Sequence, residues 1–395
     1  MKRLQAIWRE NTRWVIGCVA TVAFIGWLLL NQLPTLTGGM SAVEIKTATA
    51  PVGWHGIWAN PFYLPIKLVQ SVIFSVAPGH GQLLSRLPCV MFGALSMVSF
   101  AWLVWQWYGR RTALLTSLLF ATSAWVLHVS RLASYDVVYL WALPMLLVVQ
   151  TLLHRQADKP WVWYGSLAVW GLLLYIPGLV WLVIAQIYLH RKAVLKGWQT
   201  FTTGRQRIFT IAAIAIWWPL LLWHLSRPGR FIEWIGLPTD WASPLLLLKH
   251  LAGVFVHLFI RGPQYPQMWL GRAPILDVFT LVICGLGIYF YASNWRSSRS
   301  RSLGILFILG VLLVGIGGPV GLSLLVPLLY IMAATGLAFL LRDWLKVFPN
   351  NPLARGLGIG LVAIAVSVSC LYNLRAYFIA WPHNTTTQAT FRYHR

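Results

Sequence analysis

The chain has 395 residues, 58% of them hydrophobic and only 10% charged, and a formal net charge of +23 from 31 Lys and Arg against 8 Asp and Glu. Soluble domains carry about 25% charged residues, so this composition excludes an ordinary soluble enzyme, a disordered tail and a secreted disulfide scaffold. The basic residues sit between long apolar runs, which argues against a nucleic-acid partner and for a multi-span membrane protein.

A helix crossing the hydrocarbon core needs roughly 20 mostly apolar residues. The pattern predicts an all-α, polytopic protein of about eleven spans, near 14–32, 87–108, 112–129, 137–153, 161–175, 178–189, 208–224, 274–292, 303–317, 320–341 and 356–374. The whole chain, 1–395, reads as one transmembrane domain. The basic start and the following apolar run lack a small-x-small cleavage site, so they read as a retained first span. A long first outer loop follows, 33–86. The run 161–189 contains Tyr175-Ile-Pro-Gly178 and is split there into two short spans with a tight turn. The run 244–260 carries Lys249, His250 and His257 and fits an interfacial amphipathic helix inside a second outer loop, 225–273. With a cytoplasmic N-terminus, 19 of the 31 Lys and Arg fall in the predicted inside segments. The protein is thus expected in the cell (plasma or inner) membrane, with the tail 375–395 outside. Cys18, Cys89, Cys284 and Cys370 all lie in apolar runs without CxxC spacing, which fits buried thiols. Most of the 24 Trp sit near span ends, as an aromatic belt requires.

Eight acids can be taken one at a time. Glu10, Asp158 and Asp343 lie among inside Lys and Arg and read as counter-charges. Of the outside five, Glu233 and Asp240 flank basic residues in a polar loop, and Asp277 stands at the start of a span, where a carboxylate caps the helix. Glu44 lies in the first outer loop. Asp136 lies where the third predicted span meets the fourth, in His128-Val-Ser-Arg-Leu-Ala-Ser-Tyr-Asp136. Carboxylates at a membrane rim are candidate functional groups. The structural alternatives are a pair of Asp136 with Arg131, and a pair of Glu44 with Lys46 or plain solvation. Arg86, Arg131 and Arg272 lie at outer span ends, either as phosphate donors or as snorkelling side chains.

Four places together carry a family resemblance. They are Gly39-Met-Ser-Ala-Val-Glu44, Asn60-Pro-Phe-Tyr63, the stretch from Arg86-Leu-Pro through Tyr108-Gly-Arg-Arg111 to Tyr135-Asp136, and Leu174-Tyr-Ile-Pro-Gly178. In order and spacing they resemble the multi-span GT-C glycosyltransferases of family 39, the protein-mannosyltransferase and aminoarabinose-transferase relatives. The resemblance implies a GT-C-like fold with juxtamembrane helices in the first outer loop. It implies transfer of a sugar from a polyprenyl-phosphate donor to an acceptor hydroxyl on the outer face. Glu44 would be the base, and Asp136, the second catalytic residue, would orient Arg131 or share a metal with Glu44. Arg131, Arg272, Arg86, Tyr135 and His55 would bind substrate. A divalent metal shared by Glu44 and Asp136, with His55 and His128 as further ligands, is the cofactor option. Two departures stand out: Val43 replaces the first member of the family's acidic pair, and Ile176 occupies a position where a Lys is common. The competing readings are a lipid-linked-substrate transporter or flippase, and an inactive GT-C relative.

Overall fold

The computed structural model describes residues 16–17, 19–50, 53–77, 81–264, 270 and 273–391. Arg272, Cys18, Glu10 and the N-terminal basic residues lie outside the described residues. The described chain is all-helical. The helices are α1 (Val19–Leu30), α2 (Ala42–Ala48), α3 (Trp54–Ala59), α4 (Leu64–Val76), α5 (Gln82–Tyr108), α6 (Arg110–Thr122) and α7 (Ala124–Arg131). They continue with α8 (Asp136–Gln156), α9 (Pro160–Leu174), α10 (Leu179–Leu189), α11 (Arg191–Gln199), α12 (Thr203–Ser226), α13 (Phe231–Trp234) and α14 (Pro244–Phe259). The last are α15 (Val278–Ser293), α16 (Ser298–Gly315), α17 (Val326–Val347), α18 (Pro352–Arg375) and α19 (Thr385–Thr390).

By length and apolar content six of these segments can cross a membrane: α5, α8, α12, α16, α17 with the short turn before it, and α18 with the turn after it. The pair α6 and α7 makes a seventh if taken as one span. The chain is therefore a multi-pass membrane protein. The α6–α7 pair is bent by 60°. Its break falls at Ser123, and the freed amide of Ala124 donates to Asn373 Oδ1 at 3.2 Å, so α18 satisfies the backbone where the helix opens.

The centre of the bundle is α5, α8 and α17, whose apolar faces are buried on nearly every turn. Helices α15 and α17 touch backbone to backbone. A methyl group on Gly287 would lie 1.8 Å from the Met332 carbonyl oxygen, and one on Gly336 would lie 1.9 Å from that of Ile283. Small residues let apolar helices approach this closely, and van der Waals contact drives such packing in lipid.

Three short helices, α2, α3 and α4, occupy the 33–86 connection, where the resemblance implied juxtamembrane helices. The split at Tyr175–Gly178 is present between α9 and α10. The segment after α18 is ordered where the sequence indicated a plain tail. It forms a π-helical turn, Ala376–Ala380, then α19, and buries Tyr377, Trp381 and Phe391 against the core. Asn384, the first residue of the formal sequon, caps α19 by accepting from the Thr386 amide.

Candidate functional site

Two carboxylates that are distant in sequence come to one end of the bundle, in very different surroundings. Ser41 and Glu44 form a capping box at the start of α2: the Ser41 amide donates to Glu44 Oε2 at 3.0 Å, and the Glu44 amide donates to Ser41 Oγ at 3.3 Å. Arg86, from the first turns of α5, grips the same carboxylate with Nε at 2.9 Å and Nη2 at 3.1 Å. The Ala133 amide completes the set at 3.1 Å. Four donors fill the roughly four lone-pair positions of an ionised carboxylate. Both partners are almost fully buried, at 1% and 2% exposure. Arg86 also donates to the carbonyls of Leu33 and Gly39 and to Thr37 Oγ1. The pair thus ties the 33–41 loop, α2, α5 and the α7–α8 connection into one knot.

Asp136 is the reverse case. It opens α8, where a negative charge is favoured by the helix dipole. It is half-buried and belongs to no ion pair among the described residues. Its surroundings are instead aromatic and glycine-rich. Tyr135 stacks on Tyr63 with ring centroids 4.6 Å apart. The Tyr63 amide donates to the Tyr175 carbonyl at 2.9 Å, and the Tyr63 hydroxyl lies 3.5 Å from that of Tyr139. The Tyr139 hydroxyl in turn lies 3.2 Å from the Pro177 carbonyl oxygen and 3.3 Å from that of Pro319. Tyr63 holds a left-handed backbone, φ 61°, which is costly for an aromatic residue and is found where surrounding structure fixes a site.

Glycines allow close packing at this junction. Gly178 and Gly236 both have positive φ, and a Cβ on Gly236 would lie 2.6 Å from Gly178 Cα. The Gly178 amide donates to the Trp234 carbonyl at 2.9 Å. Gly321 abuts the acid itself: a Cβ there would meet Asp136 Oδ1 at 2.6 Å. Five connections therefore converge, 60–63, 133–136, 175–178, 233–237 and 316–321. Three of the four stretches that carried the family resemblance meet here, and the fourth holds Glu44 next door.

Lys67 was not singled out by the sequence. It is the one charge in the thirteen residues of α4, buried at 4% exposure, and its Nζ donates to the Asn60 carbonyl at 2.7 Å. It has no carboxylate partner among the described residues. Burial pushes its ammonium down to about 8. Gln70, one turn on and on the same face, is fully buried with neither amide atom bonded. Burial also raises the Tyr63 phenol, and the charges of Asp136 and Glu233 add to the shift. Glu233 pairs with Arg230 at 2.5 Å on a partly exposed surface, in line with the solvated reading of the sequence.

Several expectations need correction. Asp136 does not pair with Arg131. Arg131 is buried beneath the ordered tail, with its guanidinium over the rings of Tyr377 and Phe378 at 5.3 and 4.8 Å, and its Nη2 donates to the Asn31 carbonyl. Arg86 is consumed by Glu44 and loop acceptors. His55 is exposed on α3, and His128 is buried against Trp381 and Tyr377. The donor set does not fit the suggested divalent ion. Glu44 has its lone pairs filled and its charge met by Arg86, and no group of three His, Cys, Asp or Glu able to hold a metal occurs among the described residues.

The helical order is that of a multi-pass membrane protein, and the match to solved structures gives it a GT-C-like fold. No protein-family model and no curated protein sequence matches the chain. Solved structures do. The apo structure of ArnT from Cupriavidus metallidurans superposes with a TM-score of 0.61 over 97% of this chain and 78% of that one, at 14% identity. The same protein bound to undecaprenyl phosphate gives 0.56 over 96% and 77%, at 13% identity. The AglB oligosaccharyltransferase from Archaeoglobus fulgidus, in complex with an inhibitory peptide and a dolichol-phosphate, gives 0.52 over 93% of this chain and 56% of that one, at 13% identity. At these identities the likeness is one of fold.

Proposed function

We propose that the chain is a glycosyltransferase that moves a sugar from a polyprenyl-phosphate donor to an acceptor hydroxyl, with Asp136 as general base. The observation that carries this reading is the Asp136 carboxylate, without an ion pair among the described residues, at the meeting point of five connections, beside an α4 whose buried Lys67 has no carboxylate partner among them either. Solved neighbours of the same fold hold undecaprenyl phosphate and dolichol-phosphate, which supports a lipid phosphate as the donor's leaving group. Asp136 takes the proton of the acceptor hydroxyl as its oxygen attacks the anomeric carbon. The bond from that carbon to the phosphate oxygen breaks, and the lipid phosphate departs. The ammonium of Lys67 and the amide of Gln70 hold the phosphate as charge builds on it. Tyr63 and Tyr135 form an aromatic wall for the sugar. Glu44 and Arg86 act as positioning residues, holding the loop on which the site rests.

In the same reading the four shorter apolar helices α1, α9, α10 and α15 join the seven longer segments to give eleven spans. The N-terminus is cytoplasmic and the site faces outward. The family-39 assignment and the membrane of residence belong to this proposal too. The test uses purified full-length protein and a panel of labelled polyprenyl-phosphate sugars, and follows release of the polyprenyl phosphate. Release that requires Asp136 supports the reading. No release or transfer from any donor, with the protein folded, defeats it.

A further inference from the structure

Asp277 caps α15, as its position before a span led us to expect. Its Oδ2 accepts from Ser369 Oγ at 2.7 Å and faces the Thr280 amide at 3.5 Å. Its Oδ1 is buried and has no hydrogen-bond partner, and Asp277 forms no ion pair among the described residues. A buried carboxylate oxygen without a donor is a costly arrangement that a cationic ligand would relieve. Asp277 lines a cavity of about 650 Å³ between α7, α15 and α18, whose walls are otherwise mainly apolar, with Trp125, Phe279 and Ala365 among them. The mouth opens along helix faces that a bilayer would cover: Val278 is 79% exposed, Val282 58% and Val368 61%.

We propose that this groove binds a membrane lipid with a primary-amine head, its ammonium donating to Asp277 Oδ1 and one chain lying along Phe279, Ala365 and Val368. Charge complementarity selects the head. A free carboxylate oxygen repels a head that is only anionic, so this site is separate from the donor-phosphate site proposed above and does not depend on it. Asp277 stands at the first turn of α15, at the depth where a head group meets the apolar region. A quaternary ammonium has no N–H to give, so choline heads bind more weakly than ethanolamine heads.

The full-length protein, reconstituted with equal phosphatidylethanolamine, phosphatidylglycerol and phosphatidylcholine, is extracted gently. Lipid retained on it is counted by native mass spectrometry. Phosphatidylethanolamine is expected to exceed each of the others by about tenfold, the size of one charge-assisted hydrogen bond. Asp277→Asn brings that ratio close to one. Because Asp277 also caps α15, a second variant, Ala365→Phe, fills the groove and leaves the cap untouched; it is expected to lower phosphatidylethanolamine retention to the level of the other two lipids. Equal retention of all three lipids by the parent overturns the proposal. So does a preference that survives either variant, since the lipid would then bind elsewhere.

Discussion

Glu44 and Asp136 lie at the same end of one bundle, yet they are different chemical objects. Glu44 accepts four hydrogen bonds and shares its charge with Arg86. Asp136 has no ion pair among the described residues; Ser134 is its hydrogen-bonding neighbour and Gly321 lies against its Oδ1. A base must have a free lone pair to take a proton, whereas a fixed anchor must have none. The contrast teaches that, in a chain with so few acids, function is read from what each acid lacks, since both lie at the same end of the bundle.

The most severe test removes the charge of Asp136. Asp136→Asn is expected to cut transfer by about 10²–10⁴-fold, the range for loss of a general base, while thermal unfolding stays close to the parent. Arg86→Met tests the other half of the comparison. It leaves Glu44 buried and uncompensated, which should cost about 3–5 kcal/mol of stability, read as a large fall in unfolding temperature. If Arg86→Met unfolds normally but loses activity, and Asp136→Asn does the reverse, the two roles have been assigned the wrong way round.

How much of this was legible in the sequence follows from the same physics. Apolar runs long enough to span, the break at Tyr175–Gly178 and the helix at 244–260 depend on local composition; helices stand at the runs and at 244–260, and the break falls between α9 and α10. The two acids worth inspecting were also visible, because rarity needs no structure. Their environments were not. The saturation of Glu44 depends on donors from Arg86 and Ala133, which are 42 and 89 residues away. The covering of Arg131 depends on Tyr377 and Phe378, in a tail whose short polar stretch hid its three buried aromatics. Lys67 did leave a signal, a single charge in an otherwise uncharged amphipathic helix, but charge counting by side of the membrane passed over it.

Lys67 gives a finer test of the Asp136 side of the comparison through pH. Its ordinary value of 10.5 falls to about 8 in the folded protein. The folded state thus favours the neutral amine, so this contribution to stability is fully present above pH 10.5 and is lost as pH falls to about 8. Donor binding runs the other way, because phosphate needs the ammonium. Donor kcat/KM should fall from about pH 8 upward, by as much as about tenfold per pH unit, because the ammonium acts both in binding and as charge builds on the phosphate. Lys67→Arg keeps the charge and should flatten that limb. A limb that persists in Lys67→Arg would mean another group titrates, and the phosphate contact would have to be placed elsewhere.

The smallest effect is expected where the sequence offered a metal. If Glu44 is an anchor with filled lone pairs, a chelator should leave transfer within about twofold of the untreated enzyme. His55→Ala, on an exposed face of α3, should then change neither stability, by more than about 0.5 kcal/mol, nor rate. Inhibition by chelator that added Mg²⁺ or Mn²⁺ reverses would undo the contrast between the two acids. An ion needs carboxylate lone pairs, and only release of Glu44 from Arg86 in a second state of the loop, or recruitment of Asp136 away from base duty, could supply them. Combining the chelator with Arg86→Met separates those cases. Metal dependence that grows when the guanidinium is removed points to a freed Glu44, and dependence that does not change points to Asp136.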